Sequence, residues 1–170
     1  MISFSRSVRA GLPLLLAACA VTGQTRDRRA HEQPPFPLQP TAAASSQMEA
    51  SYRGYVRCFN QRDVPCISRF YNDDLLFLSS ALPRLSSKEE MLGFYSGVWK
   101  HLTEHLVIKS FAVDGQRMRV DLQNTLTVFA DYPEFPPRPL KKGDQYTIGG
   151  VVVYVLRDGR IAKILDRVSE

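Results

Sequence analysis

YTIGGVVVYVLR (residues 146–157) and RIAKILDRV (residues 160–168), separated only by Asp158-Gly159, decide how the rest of the chain is read. The first run is dense in β-branched and aromatic residues, which suit a pleated, buried surface. Asp-Gly between two such runs predicts a tight hairpin, because both residues tolerate positive φ. Val151, Val153 and Val155 alternate with Val152 and Tyr154, so both faces of the first strand are apolar. The second face needs cover, and a homodimer formed through the sheet would supply it.

Upstream of the hairpin, residues 131–144 form a loop stiffened by Pro133, Pro136, Pro137 and Pro139, and a long loop in a compact domain is often functional. Residues 117–130 alternate cleanly: Met118, Val120, Leu122, Leu126 and Val128 on one face, charged and polar residues on the other. Asn124 interrupts the apolar face. A further strand is expected over 106–113, turning at Asp114-Gly115. Before it the period is helical. Residues 87–102 carry the stripe Met91, Phe94, Tyr95, Val98 and Leu102 behind a Ser86/Glu89 capping box. A short first strand is expected over 75–80. Asp63 caps a brief helix with Pro65 in its first turn, and residues 48–62 place Tyr52, Tyr55, Val56 and Phe59 on one helical face. Helix, helix, strand, helix, then four antiparallel strands is an α+β order.

Charge divides the chain. Residues 1–46 hold five Lys/Arg against two Asp/Glu, and residues 47–170 hold 17 against 15, so the net +5 is mostly a property of the first segment. No basic stripe with interleaved aromatics points to nucleic acid. Arg6 and Arg9 precede an apolar run over 12–18 that ends in Leu16-Ala17-Ala18-Cys19, which is the pattern of an export signal. The run is too short to span a bilayer. Leu-Ala-Ala-Cys resembles a bacterial lipobox, in which the cysteine, here Cys19, carries the lipid. The other reading is an ordinary signal cut after Ala18-Cys19-Ala20. The expected organisation is a signal over 1–19, a disordered Pro/Ala/Ser-rich tether over 20–46 and one folded domain over 47–170. The expected location is the cell envelope, lipid-anchored on the periplasmic side, or otherwise secreted.

YVRCFNQRDVPCISRFYNDDLLFL, then SSKEEMLGFYSGVW, then VVVYVLRDGRIAKILDRV resembles the SnoaL-like branch of the nuclear-transport-factor-two superfamily. The resemblance covers residues 47–168. It implies three helices packed in the concavity of a strongly curved, mostly antiparallel sheet, a cone with one pocket at its open end. It fixes no single function, since the fold hosts enzymes, binders and scaffolds. The ketosteroid isomerases of this superfamily use a helical Tyr, a strand Asp and a second, protonated Asp. Tyr55 matches the first, but Ser79 and Gly149 stand near the other two, which argues against that chemistry here. SnoaL-type cyclases use an Asp, and the resemblance points to Asp166 late in the last strand.

Asp166 facing the pocket would be a desolvated acid/base; facing outward it would pair with Arg119 or Arg167. Asn124, an amide on an apolar face, needs a partner in the protein or in a ligand. Tyr55 is read as core or as a hydroxyl at the pocket base. Trp99, Tyr146 and Tyr154 are further candidates for the lining, although each singly suits an ordinary core. Cys58 and Cys66 are either a disulfide or two buried thiols. His101-Leu-Thr-Glu-His105 matches H-x-x-E-H, but it straddles the expected end of a helix, so no metal is expected, and no cofactor. The missing isomerase groups favour a lipid-anchored protein binding a hydrophobic small molecule. The alternative is an enzyme of the cyclase, dehydratase or isomerase type with Asp166 as acid/base.

Overall fold

The structure, a computed structural model, describes residues 34–38, 44–136 and 138–168. The expected signal, Cys19 and most of the expected tether lie outside these residues. The elements are α1 (Ala44–Asn60), α2 (Val64–Ser68), β1 (Tyr71–Ser79), α3 (Lys88–Val98), β2 (Leu102–Asp114), β3 (Arg117–Val128), β4 (Gln145–Arg157) and β5 (Arg160–Val168). The five strands form one sheet in the order β1-β5-β4-β3-β2. Every pairing is antiparallel except β1 with β5, which is parallel. This is the α+β cone arrangement, with the helices covering one face of the sheet.

The hairpin that anchors the sequence reading forms at Asp158-Gly159, with φ of 52° and 66°. β4 buries Val152, Tyr154 and Leu156 on its inner face, while Val151, Val153 and Val155 on the outer face stay half-buried. β3 alternates as its sequence requires: Met118, Val120, Leu122, Leu126 and Val128 are all buried. They meet Tyr52, Tyr55 and Phe59 of α1. Two hydroxyl pairs satisfy the buried phenols, Tyr52 with Tyr154 at 2.9 Å and Tyr55 with Tyr71 at 2.7 Å.

The Asn-x-x-Asp sequence after the first aromatic helix has a structural job at each end. Asp63 Oδ1 accepts from Cys66 N at 3.0 Å and caps α2. Asn60 clips the edge strand β2: its Nδ2 donates to Leu106 O (3.0 Å) and its Oδ1 accepts from Leu106 N (2.8 Å). An edge strand offers unpaired backbone groups, and here one pair is taken by a side chain. Cys58 and Cys66 form a disulfide that ties α1 to α2 across a Cα–Cα distance of 5.7 Å.

Four expectations need correction. First, α3 is capped by Ser87, whose Oγ accepts from Glu90 N, and Glu90 reaches back to Ser86 N. The capping box is therefore one residue later than the Ser86/Glu89 reading. Second, α3 ends at Val98, and β2 begins at Leu102, four residues before the expected strand start. Third, β1 begins at Tyr71, not 75: Tyr71 pairs with Ile161 and Asn72 Nδ2 donates to Arg157 O at 2.8 Å, after which the register shifts before Leu76. Side-chain bonding carries a strand through a polar Asn-Asp-Asp stretch that composition alone would leave as loop. Fourth, part of the expected tether belongs to the domain. α1 starts at Ala44, and Phe36 is buried, edge-on to Phe70 with ring centroids 5.7 Å apart. Phe36 N donates to Gly159 O (3.2 Å), and Gln116 Nε2 donates to Leu38 O (3.2 Å). A single aromatic in a Pro-rich stretch is enough to dock it.

Candidate active site

The sheet and helices line an open cavity of about 170 Å³. It lies toward the half of the sheet away from the β2–β3 and β4–β5 turns. Its wall is mostly aromatic and aliphatic, with Tyr55, Tyr95, Phe77, Phe135 and Tyr154 among its rings. Phe135 comes from the Pro-rich loop, which is held by Tyr132 N to Leu140 O (2.9 Å) and by the stack of His101 on Tyr132 at 4.2 Å. Gly149 and Gly150 of β4 also form part of the wall.

Two acids reach this wall. Asp166 of β5 stands beside Ser79 of β1, its register partner, and Ser79 Oγ donates to Asp166 Oδ2 at 3.1 Å. Burial pushes the Asp166 carboxyl above its usual range, and the Ser79 hydrogen bond pulls it partly back. Glu104 of β2 is the second. Its Oε1 accepts from Asn124 Nδ2 at 2.9 Å and its Oε2 from Trp99 Nε1 at 3.2 Å. Burial raises this carboxyl too, against the pull of the two donors. Asn124 Oδ1 is buried and has no hydrogen-bond partner among the described residues.

The cavity gathers Tyr55, Asn124, Tyr154 and Asp166, and leaves out Trp99 and Tyr146. The Tyr55 hydroxyl is committed to Tyr71, and burial pushes the Tyr55, Tyr71, Tyr95 and Tyr154 phenols up, so they stay neutral. Trp99 is buried behind Glu104 and orients it. Tyr146 sits outside, donating to Asp144 Oδ2 (2.8 Å) with the Arg138 guanidinium 4.5 Å from its ring. Of the H-x-x-E-H residues, His101 is in a turn with Nδ1 2.7 Å from Asp131 O, and His105 is exposed on β2, opposite Thr125. No cluster of three His, Cys, Asp or Glu suited to a metal occurs among the described residues.

Glu104 was missed by sequence reasoning. Extending the helix to Leu102 left it in a connector. The signal was present: Leu102, Glu104, Leu106 and Ile108 alternate with Thr103, His105, Val107 and Lys109, and the first set is the more buried. A strand starting four residues earlier turns Glu104 inward.

The sequence profile of the SnoaL-like domain matches residues 52–164. None of the curated proteins matches the chain in sequence. Among solved structures, an LEH-like epoxide hydrolase of M. tuberculosis is similar at 13% identity and a TM-score of 0.57, over 69% of this chain and 79% of that one. A proposed polyketide cyclase from Xanthomonas campestris pv. campestris is similar at 19% identity and 0.59, over 68% and 85%. TerC, co-crystallised with polyporic acid, gives 16% identity and 0.56, over 69% and 88%. At these identities the likeness establishes the fold and leaves the chemistry to the site.

Proposed function

Because this chain belongs to the SnoaL-like domain family, we propose that it is an enzyme performing acid/base chemistry on a hydrophobic small molecule, with Asp166 as the proton-transfer group. The observation that carries the reading is the Asp166 carboxyl on an apolar cavity wall, held by Ser79 and raised by burial. A base works best when its pKa approaches the working pH, and burial moves a carboxyl that way. Ser79 stands at the strand position where the isomerases of the superfamily hold a base. Here the carboxyl is one strand over, so loss of the acid at position 79 does not empty the site. This favours an enzyme over a binding protein, although both readings share the pocket and its hydrophobic ligand.

In the ionised state Asp166 accepts a proton from a carbon next to a ligand carbonyl; as the acid it returns the proton to carbon or to a departing oxygen. Asp166 is only partly buried, so its proton can exchange with solvent between the two transfers. Solvent-deuterium exchange at the α-carbon of 1-tetralone, followed by NMR, tests this without knowledge of the natural substrate. The protein is expected to accelerate exchange, and Asp166→Asn to remove about 10²-fold or more of that acceleration while 1-tetralone still binds. Exchange at the solvent rate, or exchange indifferent to Asp166→Asn, overturns the reading.

Export belongs to the same proposal. The reading is supported by the signal-like run and by Cys19 in a lipobox-like setting, which would hold the domain at a membrane surface. No helix among the described residues is long and apolar enough to cross a membrane.

A further inference from the structure

The unpartnered oxygen of Asn124 is fixed in place by its neighbours. Glu104 Oε1 accepts from Asn124 Nδ2 (2.9 Å), so the amide presents its donor side to the carboxyl. Trp99 Nε1 occupies Glu104 Oε2 (3.2 Å) and holds the carboxylate against rotation. Oδ1 is thereby turned away from Glu104 and left as a buried acceptor with no donor among the described residues. Asn124 and Glu104 both belong to the cavity wall. A buried acceptor without a donor is destabilising, and a suitable ligand group would remove that cost on binding.

The charge of the wall narrows the class. It holds two carboxyls, Glu104 and Asp166, and no Lys, Arg or His among the described residues. An anionic ligand would meet like charge with no counter-ion. The rest of the wall is rings and aliphatic chains, which suit a flat apolar body.

We propose that the Glu104–Asn124 side of the cavity, backed by Trp99, is a receptor for a neutral hydroxyl group, so that the ligand is an uncharged, largely aromatic molecule whose O–H donates to Asn124 Oδ1. This inference rests on the reading of the cavity as the substrate site, but it does not require Asp166 to be catalytic. Glu104 and Trp99 act as positioning residues; Asn124 touches the ligand.

Three probes of one shape test it by calorimetry at neutral pH: 2-naphthol, 2-methoxynaphthalene and 2-naphthoate. 2-Naphthol is expected to bind about tenfold tighter than its methyl ether, the size of one neutral hydrogen bond. 2-Naphthoate is expected to bind most weakly, and Glu104→Gln to improve it severalfold. In Asn124→Leu the naphthol-to-ether ratio should fall to about one with the ether's own affinity kept. Equal binding of naphthol and ether to the unaltered protein overturns the inference, since water would then already serve Asn124 Oδ1. A preference that survives Asn124→Leu, or naphthoate binding as well as naphthol, overturns it too. If Asn124→Leu fails to fold, the ratio in the unaltered protein and the Glu104→Gln arm still decide. A hydroxyl preference without 1-tetralone exchange leaves this inference standing and removes the catalytic reading; exchange without the preference does the reverse.

Discussion

Asp166 and Glu104 are both pushed toward the neutral form by burial, yet they hold different company. Asp166 has a single hydroxyl donor, whereas Glu104 has an amide and an indole. The less supported acid is the better candidate to gain and lose a proton, and the better supported one to orient its neighbours. The shift on Asp166 carries a stability signature. Its folded pKa lies above the ordinary value of 3.8, so between the two values the folded state binds more protons than the unfolded state. Stability is therefore lost as pH rises through that window and recovered as pH falls back below it. Asp166→Asn keeps an acceptor for Ser79 but has no charge to bury. Its Tm, measured against the unaltered protein from pH 4 to pH 8, should gain ground as pH rises. A constant difference would place the carboxyl in bulk-like solvent.

At the scale of elements, the reading of the sequence did best where one period ran unbroken. β3, β4 and β5 carry long alternations, and their strands follow the expected residues closely. It did worst where two periods meet. Between Val98 and Leu102 the chain passes from helix to strand, and Leu102 satisfies both stripes, so periodicity alone could not place the junction. The same four residues decide whether Glu104 is connector or cavity wall. The polar start of β1 and the docking of Phe36 escaped notice for another reason: each depends on a partner distant in sequence, Arg157 O and Gly159 O. Gly159 shows how narrow that second contact is. A Cβ there would stand 2.6 Å from Phe36 O and 2.6 Å from Pro34 Cβ, on a backbone at φ 66°. Gly159→Ala should cost about 1–3 kcal/mol of stability, visible as a lowered Tm, and should speed chymotryptic cleavage after Leu38, the bond after Phe36 being protected by Pro37. Unchanged cleavage would mean that the segment does not depend on the turn.

For the whole molecule, the order of the elements carried the α+β class, and the family resemblance carried the expectation of a pocket at the open end of the cone. Neither could carry the cavity's polarity, which depends on how side chains from β1, β2, β3 and β5 converge. The proposal of a lipid anchor is tested at this scale: Cys19→Ala should move the protein from the membrane fraction to the soluble fraction or block its processing. An unmodified mature N-terminus at Val21 in the unaltered protein would overturn it. The docked segment around Phe36 adds a mechanical consequence. A load arriving along the chain from before Pro34 meets the Phe36 ring and the tip of the β4–β5 hairpin first. Those contacts sit at the turn end of the sheet, whereas Glu104, Asn124 and Asp166 lie toward the other. Were the chain held at Cys19 as proposed, a pull from that side would be taken up by these contacts before it reached the cavity.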